Sequence, residues 1–388
     1  MKSVELFSGA GGLALGLELS GCRHEALVEF NSSACRTIQY NINRGQRLVK
    51  NWNLYEGDVR DISFKKIVDG VELVAGGPPC QPFSLGGKAK GMSDVRDMFP
   101  EAVRSVRELM PRCFIFENVK GLLRKGFATY FNYVILQLSY PSLVRRNSET
   151  WMDHLARLER VRTSGHKQSL EYNVVYRLLD AADYGIPQHR HRVFIVGFRS
   201  DLGVEWNFPM ATHSEDRLLW DKWITGDYWQ EHGISLKKRP LLSADAKARV
   251  LSLEHLFKDK PPQSSRYKTV RDAITDLPDP QERNNVPNHE FRGGARMYKG
   301  HTGSLLDEPS KALKAGAHGV PGGENMIVFP DGKCRYYTAR EAARIQTFPD
   351  DYIFASSWTE SMRQIGNAVP VQLAEIVGRS VLAQGELK

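Results

Sequence analysis

A chain of 388 residues with a formal charge of +8 is too long for one ordinary core and fits about two or three domains of a globular protein. Its five cysteines, Cys22, Cys35, Cys80, Cys113 and Cys334, show neither CxxC pairs nor zinc-like spacing, which argues against a disulfide framework and a metal site. The positive balance favours a polyanionic partner, nucleic acid first, and Glu5 and Glu18 within the first apolar stretch fit neither a signal peptide nor a membrane helix, so a reduced, cytoplasmic protein is expected.

Val4 to Phe7 reads as a strand, and Ser8-Gly9-Ala10-Gly11-Gly12 turns it into an amphipathic helix that reaches about Ser20. A second strand, His24 to Phe30, places Glu29 about twenty residues after the glycines, where a ribose-binding carboxylate is expected. Taken alone, such a turn is only a tight turn; with the acid it suits a cofactor carrying ribose. A short strand near Leu54 to Glu56 leads into Gly57-Asp58-Val59, and Val71 to Ala75 forms a fourth, buried strand. Successive βα units of this kind predict an α/β fold with a doubly wound, Rossmann-like sheet.

The fourth strand runs into Gly76-Gly77-Pro78-Pro79-Cys80-Gln81-Pro82-Phe83-Ser84. The prolines stiffen the backbone around Cys80 and the glycines permit close approach, a setting for a nucleophile at the sheet edge where open α/β folds bind ligands. Taken alone, the cysteine fits a buried core thiol equally well. The glycine-rich, basic stretch between Ser84 and Arg96 reads as a mobile lid attached to Cys80. Pro100 opens a helix to about Met110, and the strand Cys113 to Phe116 delivers Glu117-Asn118-Val119 to the same edge as Cys80.

A helix from about Phe127 to Leu138 precedes a basic helical insert near Trp151 to Arg162, to which the sequence assigns no role. Two paired strands, Tyr172 to Leu179 and Val193 to Phe198, flank Gln188-His189-Arg190-His191-Arg192. Beyond about Arg199 the βα rhythm stops, and regular structure returns with a helix whose capping box is Thr338 with Glu341; a last helix runs from about Val371 to Ala383.

A thiolate adds well to electron-poor rings, and a buried glutamate can hydrogen-bond an amidine-like edge such as N3 and the amino group of cytosine. With these residues in view, the chain resembles the DNA (cytosine-5) methyltransferase family of compact, prokaryotic type. Phe7 to Gly12 is similar to its first motif, Gly77 to Pro82 to its nucleophile motif, Glu117-Asn118-Val119 to its glutamate motif and Gln188 to Arg192 to its QxRxR motif. Arg340 through Pro349 resembles its ninth motif and Gln364 to Pro370 its tenth; Glu5 stands where the family usually has aspartate.

The resemblance implies a base-flipping, S-adenosylmethionine-dependent methyltransferase acting on double-stranded DNA, with Cys80, Glu117, Arg190 and Arg192 catalytic. Arg192 would hold the O2 edge of the base and Arg190 a nearby phosphate. Cofactor contacts would come from Phe7, Gly9, Gly11, Gly12, Glu29, Phe30, Asp58, Val59, Pro79, Met98, Asn367, Ala368 and Val369, and DNA contacts from Gln81, Ser84, Lys88, Lys90 and Arg96. A discontinuous catalytic domain, 1–200 and 355–388, would enclose a target-recognition region with its hinge at 201–354, in which Arg266, Lys268, Arg271, Arg283, Arg292, Arg296 and Lys299 are candidate DNA contacts. By the same analogy the enzyme acts as a monomer, is found with the nucleoid, needs no metal, and belongs to a restriction-modification system with a separate endonuclease.

Other readings remain at this point. A nicotinamide or flavin oxidoreductase explains the glycine loop and Glu29 but gives no reason for Cys80 and Glu117. An RNA cytosine-5 methyltransferase is closer, although the Cys-Phe-Thr signature of that branch is absent from the sequence. A catalytically inactive DNA-binding relative is the third.

Overall fold

A computed structural model describes residues 1–67, 69–79, 97–258, 260–316 and 325–385. The lid stretch, and with it Cys80, Gln81, Ser84, Lys88, Lys90 and Arg96, lies outside the described residues. The chain divides into two compact units: Met1–Leu179, His191–Pro209 and Ala374–Lys388 form the first, and Asp180–Arg190 with Met210–Leu373 the second.

In the first unit, β1 (Lys2–Leu6) leads through the glycine loop to α1 (Gly12–Ser20), followed by β2 (Arg23–Glu29), α2 (Ser32–Asn43), β3 (Leu54–Glu56), the short α3 (Phe64–Ile67) and β4 (Leu73–Gly76). Then come α4 (Phe99–Leu109), β5 (Cys113–Val119), α5 (Ala128–Ser139), α6 (Trp151–Ser164), β6 (Tyr172–Asp180) and β7 (His191–Arg199). The strands assemble in the order β3-β2-β1-β4-β5-β7-β6. The pairs from β3 through β5 are parallel, and β7 runs antiparallel to β5. This is the doubly wound, Rossmann-like architecture read from the sequence.

β4 is buried at every residue and β5 at all but its last, as expected for strands covered on both faces, and this is why β4 and the Cys113-to-Phe116 part of β5 read as apolar runs. Gly76 ends β4 for a steric reason: a Cβ there would stand 2.5 Å from the Leu6 carbonyl oxygen of the neighbouring strand. His24 sits buried beneath α1. Its Nε2 lies 2.9 Å from the Ala14 carbonyl and its Nδ1 3.0 Å from the Ser3 hydroxyl, and burial lowers the ring to about 4, so it is neutral.

The basic insert folds onto this unit. Thr150 and Asp153 form a capping box that starts α6, and Leu155 and Leu158 enter the main core with Tyr130, Phe131 and Val134 of α5. His154 joins the two helices, with Nδ1 2.9 Å from the Tyr133 hydroxyl and Nε2 2.7 Å from the Leu143 carbonyl. Arg160 and Arg162 face outward, while Arg157 pairs with Glu149 and donates to the Val144 carbonyl.

The second unit holds β8 (His213–Ser214), α7 (Glu215–Trp223), α8 (Asp227–Glu231), α9 (Ala244–Phe257), β9 (Ser265–Arg266) and α10 (Val270–Ile274). It continues with β10 (Ser304–Leu305), β11 (Met326–Val328), β12 (Cys334–Tyr336), α11 (Ala339–Ile345) and α12 (Trp358–Asn367). Helix α13 (Val371–Gly385) begins in the second unit and continues in the first, where Gly378 packs so tightly that a Cβ would stand 2.6 Å from Ser20 Oγ.

The units change over at other residues than the expected division. Residues 180–190 belong to the second unit: the Asp183 carbonyl accepts from Thr212 N at 2.9 Å, and its carboxylate accepts from the Tyr267 hydroxyl at 2.5 Å. Residues 355–373 belong there too, because α12 packs on α11.

Candidate active site

The glycine loop is shaped by backbone that most residues avoid. Gly9 and Gly11 have φ of 54° and 82°, and Phe7, despite its side chain, has φ of 58°. A non-glycine residue in this conformation stores strain of about 1–3 kcal/mol, a cost seen most often at functional sites. Glu29, at the end of β2, fixes the loop: one carboxylate oxygen accepts from Gly9 N at 2.7 Å and the other from Asn31 N at 2.6 Å. Each oxygen keeps a second lone pair, which a ribose hydroxyl can use. The next residue, Phe30, is 74% exposed, an aromatic face that nothing in its own unit covers.

Beneath the loop, Glu5 is buried; burial first, and the Glu29 carboxylate nearby, raise its carboxyl well above the ordinary range, while the backbone amide of Ala14 lowers it. Asp58 caps the turn after β3 through Arg60 N and also pairs with the Arg60 guanidinium, which holds its carboxyl below the usual range. Val59 is buried, and its carbonyl accepts from Arg104 at 2.7 Å. The partly exposed Glu29 carboxylate, the Phe30 ring and the glycine backbone along one sheet edge thus match the demands of a nucleoside-bearing cofactor.

The chemistry of the next two strands converges beside this edge. β4 and β5 pair Gly76 with Phe116, so Gly77 follows next to Glu117; a Cβ on Gly77 would stand 3.3 Å from Glu117 Oε2. Glu117 is buried and forms an ion pair with Arg192 Nε at 2.6 Å, bringing together two of the four expected catalytic residues. Burial pushes the Arg192 guanidinium below its ordinary value while Glu117 pushes it back. Two bonds hold the turn that precedes Cys80: Asn118 Nδ2 donates to the Pro78 carbonyl at 3.0 Å, and Met98 N donates to the Pro79 carbonyl at 3.2 Å.

Arg190 is a correction. It does not offer a guanidinium to a phosphate: it is 1% exposed, and it donates to the carbonyls of Leu313 at 2.8 Å, Gly366 at 2.5 Å and Ala368 at 2.9 Å, all within the second unit. Its role is to fasten that unit. Gln188 does the same with Leu313 N and the Gln346 side chain, and Arg340 with the carbonyls of Pro287, Pro349 and Tyr352. Asn367, Ala368 and Val369 also stand in the second unit, where Ala368 O accepts from Arg190 and Gln346.

Two candidate DNA contacts are likewise engaged elsewhere. Arg266 pairs with Asp272 at 2.7 Å and Glu231 at 2.9 Å, and Arg271 with Asp307 at 2.6 Å. Arg292 lies over the Trp358 ring, while Arg296 and Lys299 are exposed. Sequence reasoning missed Asn118 as a support for the nucleophile's turn, although its place beside Glu117 was a signal.

A doubly wound sheet with this loop and edge defines a Rossmann-like, S-adenosylmethionine-dependent methyltransferase fold. The structure of the S. pombe Dnmt2 methyltransferase shares it, with a TM-score of 0.57 and 16% identity over 100% of this chain and 99% of that one. Residues 1–140 and 162–383 match the family described as C-5 cytosine-specific DNA methylase, and the chain belongs to that family. It is a DNA cytosine-5 methyltransferase, with S-adenosylmethionine as its methyl donor.

Among its relatives is the Type II methyltransferase M.NgoMIV of Neisseria gonorrhoeae, 32% identical over 98% of this chain and 96% of that protein. Another is the Type II methyltransferase M.Eco47II of Escherichia coli, 32% identical over 98% of this chain and 78% of that protein. Among the described residues no helix is long and apolar enough to cross a membrane.

Proposed function

We propose that the protein methylates C5 of one cytosine within a specific double-stranded DNA sequence, through a covalent bond between Cys80 and C6 of a base flipped out of the duplex. The observation that carries this reading is the buried Glu117–Arg192 pair set beside the Gly77-to-Pro79 turn that leads to Cys80. In it, Cys80 Sγ adds to C6 while Glu117, carrying a proton when the base is bound, donates to N3 and accepts from the amino group, drawing density from the ring, and Arg192 holds Glu117 and the O2 edge. C5, now enamine-like, forms the new bond to carbon; S-adenosylmethionine supplies the electrophilic methyl group when bound. Loss of the C5 proton to a solvent base then returns the electron pair to the ring and expels the Cys80 thiolate.

Glu29 is suited to the ribose, Phe30 to the adenine face, Phe7 and the loop glycines Gly9, Gly11 and Gly12 to the methionine portion, and Asp58, Val59, Pro79 and Met98 to the rest of the cofactor. The second unit reads the sequence, and Gln81, Ser84, Lys88, Lys90 and Arg96 contact DNA. The Type II names of the relatives support a place in a restriction-modification system. A separately acting endonuclease and a methyltransferase working as a monomer on nucleoid DNA complete the reading.

Transfer of a labelled methyl group from S-adenosylmethionine to a duplex DNA library, followed by digestion to nucleosides, tests the reading. Label in 5-methyldeoxycytidine, with none in matched RNA, is expected. Label in RNA alone, or on an exocyclic amine, contradicts it.

A further inference from the structure

The insert that folds onto α5 covers a region the family pattern leaves out, since residues 141–161 fall between the two matched segments. Helix α5 follows the strand carrying Glu117, and one of its residues reaches across to the other side of the nucleophile's turn. The Tyr130 hydroxyl donates to Asp97 Oδ2 at 2.5 Å, and the other carboxylate oxygen of Asp97 accepts from Phe99 N at 3.2 Å. Asp97 is thereby held on both sides of Met98, the residue whose N–H donates to the Pro79 carbonyl. Pro79 is bonded directly to Cys80. The path from the phenol to the nucleophile's own peptide is therefore Tyr130, Asp97, Met98, Pro79.

Tyr130 is itself fixed. It is 6% exposed within the main core, and one turn along α5 Tyr133 bonds to His154 of the insert. A buried phenol needs a partner for its hydroxyl, and here the partner is a carboxylate, the stronger kind of acceptor.

We propose that Tyr130 is a positioning residue for methyl transfer: through Asp97 it sets the backbone that presents Cys80, while Asn118 holds the same turn from the Glu117 side. The proposal rests on the covalent reading above. Small displacements of a nucleophile lower the rate of attack far more than they lower binding.

The test measures formation of the covalent adduct on a 5-fluorocytosine duplex in single turnover, beside KM for S-adenosylmethionine and the melting temperature. Tyr130→Phe keeps the ring and removes the hydroxyl. It is expected to slow adduct formation about tenfold or more, with a smaller rise in KM for the cofactor, since Met98 and Pro79 lie on the same path. Asp97→Ala, which also removes the bond from Phe99 N, should slow it at least as much, and the double variant should be no slower than Asp97→Ala alone, because the phenol acts through that carboxylate. Asp97→Asn should recover most of the rate: its oxygen can accept from Phe99 N while its amide donates to the phenol.

Adduct formation by Tyr130→Phe at the wild-type rate overturns the proposal. So do losses that multiply in the double variant, or a slower rate that simply follows a lowered melting temperature. If the wild type itself forms no adduct, the covalent reading fails instead, so the two failures are distinguishable.

Discussion

Replacing Glu117 with glutamine is expected to slow methyl transfer by about 10²–10⁴-fold, the range of a positioned acid–base group, with little change in affinity for S-adenosylmethionine. The substitution keeps shape and volume in a site where space is tight, since Gly77 already packs against this carboxylate. Its main effect is on charge. Glutamine can neither take up nor release a proton beside N3, and it leaves the buried Arg192 guanidinium without its counter-ion. The cofactor contacts proposed on β1 and β2 lie on other strands, so affinity should survive. Breaking a buried pair from one side costs about 3–5 kcal/mol, so urea unfolding should be followed alongside the single-turnover rate. A variant that remains folded and transfers methyl within tenfold of wild type would remove Glu117 from the chemistry.

Arg190→Met is expected to act on folding and not on DNA affinity. The wild-type guanidinium serves three backbone carbonyls inside the second unit. Methionine fills part of the space and donates nothing, so several buried acceptors lose their partner, at about 1–3 kcal/mol each before relaxation. A loss of about 3–5 kcal/mol in urea unfolding is the expected sum, large for one substitution. An exposed phosphate contact would behave otherwise: stability would hardly change, and the salt dependence of DNA binding would fall by about one unit of slope. That second pattern would return Arg190 to the DNA surface. Lysine should rescue little, because it lacks the planar fork that reaches separated carbonyls.

These two residues also show what the sequence could and could not reveal. Arg190 and Arg192 are two apart, and within a strand that spacing would aim both to one face. The strand, however, begins at His191, and Arg190 closes the irregular stretch that folds with the second unit, so the pair is split between two environments. Local features were legible for good physical reasons: β4 and the first four residues of β5 are buried on both faces and apolar, and Thr338 with Glu341 forms its capping box through bonds spanning three residues. The division into units was less so, because composition changes near Arg199 while packing assigns 180–190 and 355–373 to the second unit.

Non-local pairing was hidden. Nothing in the sequence matches Tyr130 to Asp97, or Arg271 to Asp307, and an arginine in a basic stretch looks available for DNA until its acid partner is seen. The insert was visible as a basic helix, but only its packing discloses His154, Leu155 and Leu158 as an inward face.

The central claim is a covalent attack by Cys80 on cytosine, and trapping on duplexes containing 5-fluorocytosine tests it most directly. Fluorine at C5 cannot leave as a proton does, so an enzyme that has added to C6 and transferred its methyl group stays attached. With S-adenosylmethionine present, the wild type should give a complex stable on a denaturing gel, Cys80→Ala none, and the trapped duplexes should share one sequence. A wild type that methylates the library without forming the adduct, or an adduct that persists in Cys80→Ala, would contradict the account.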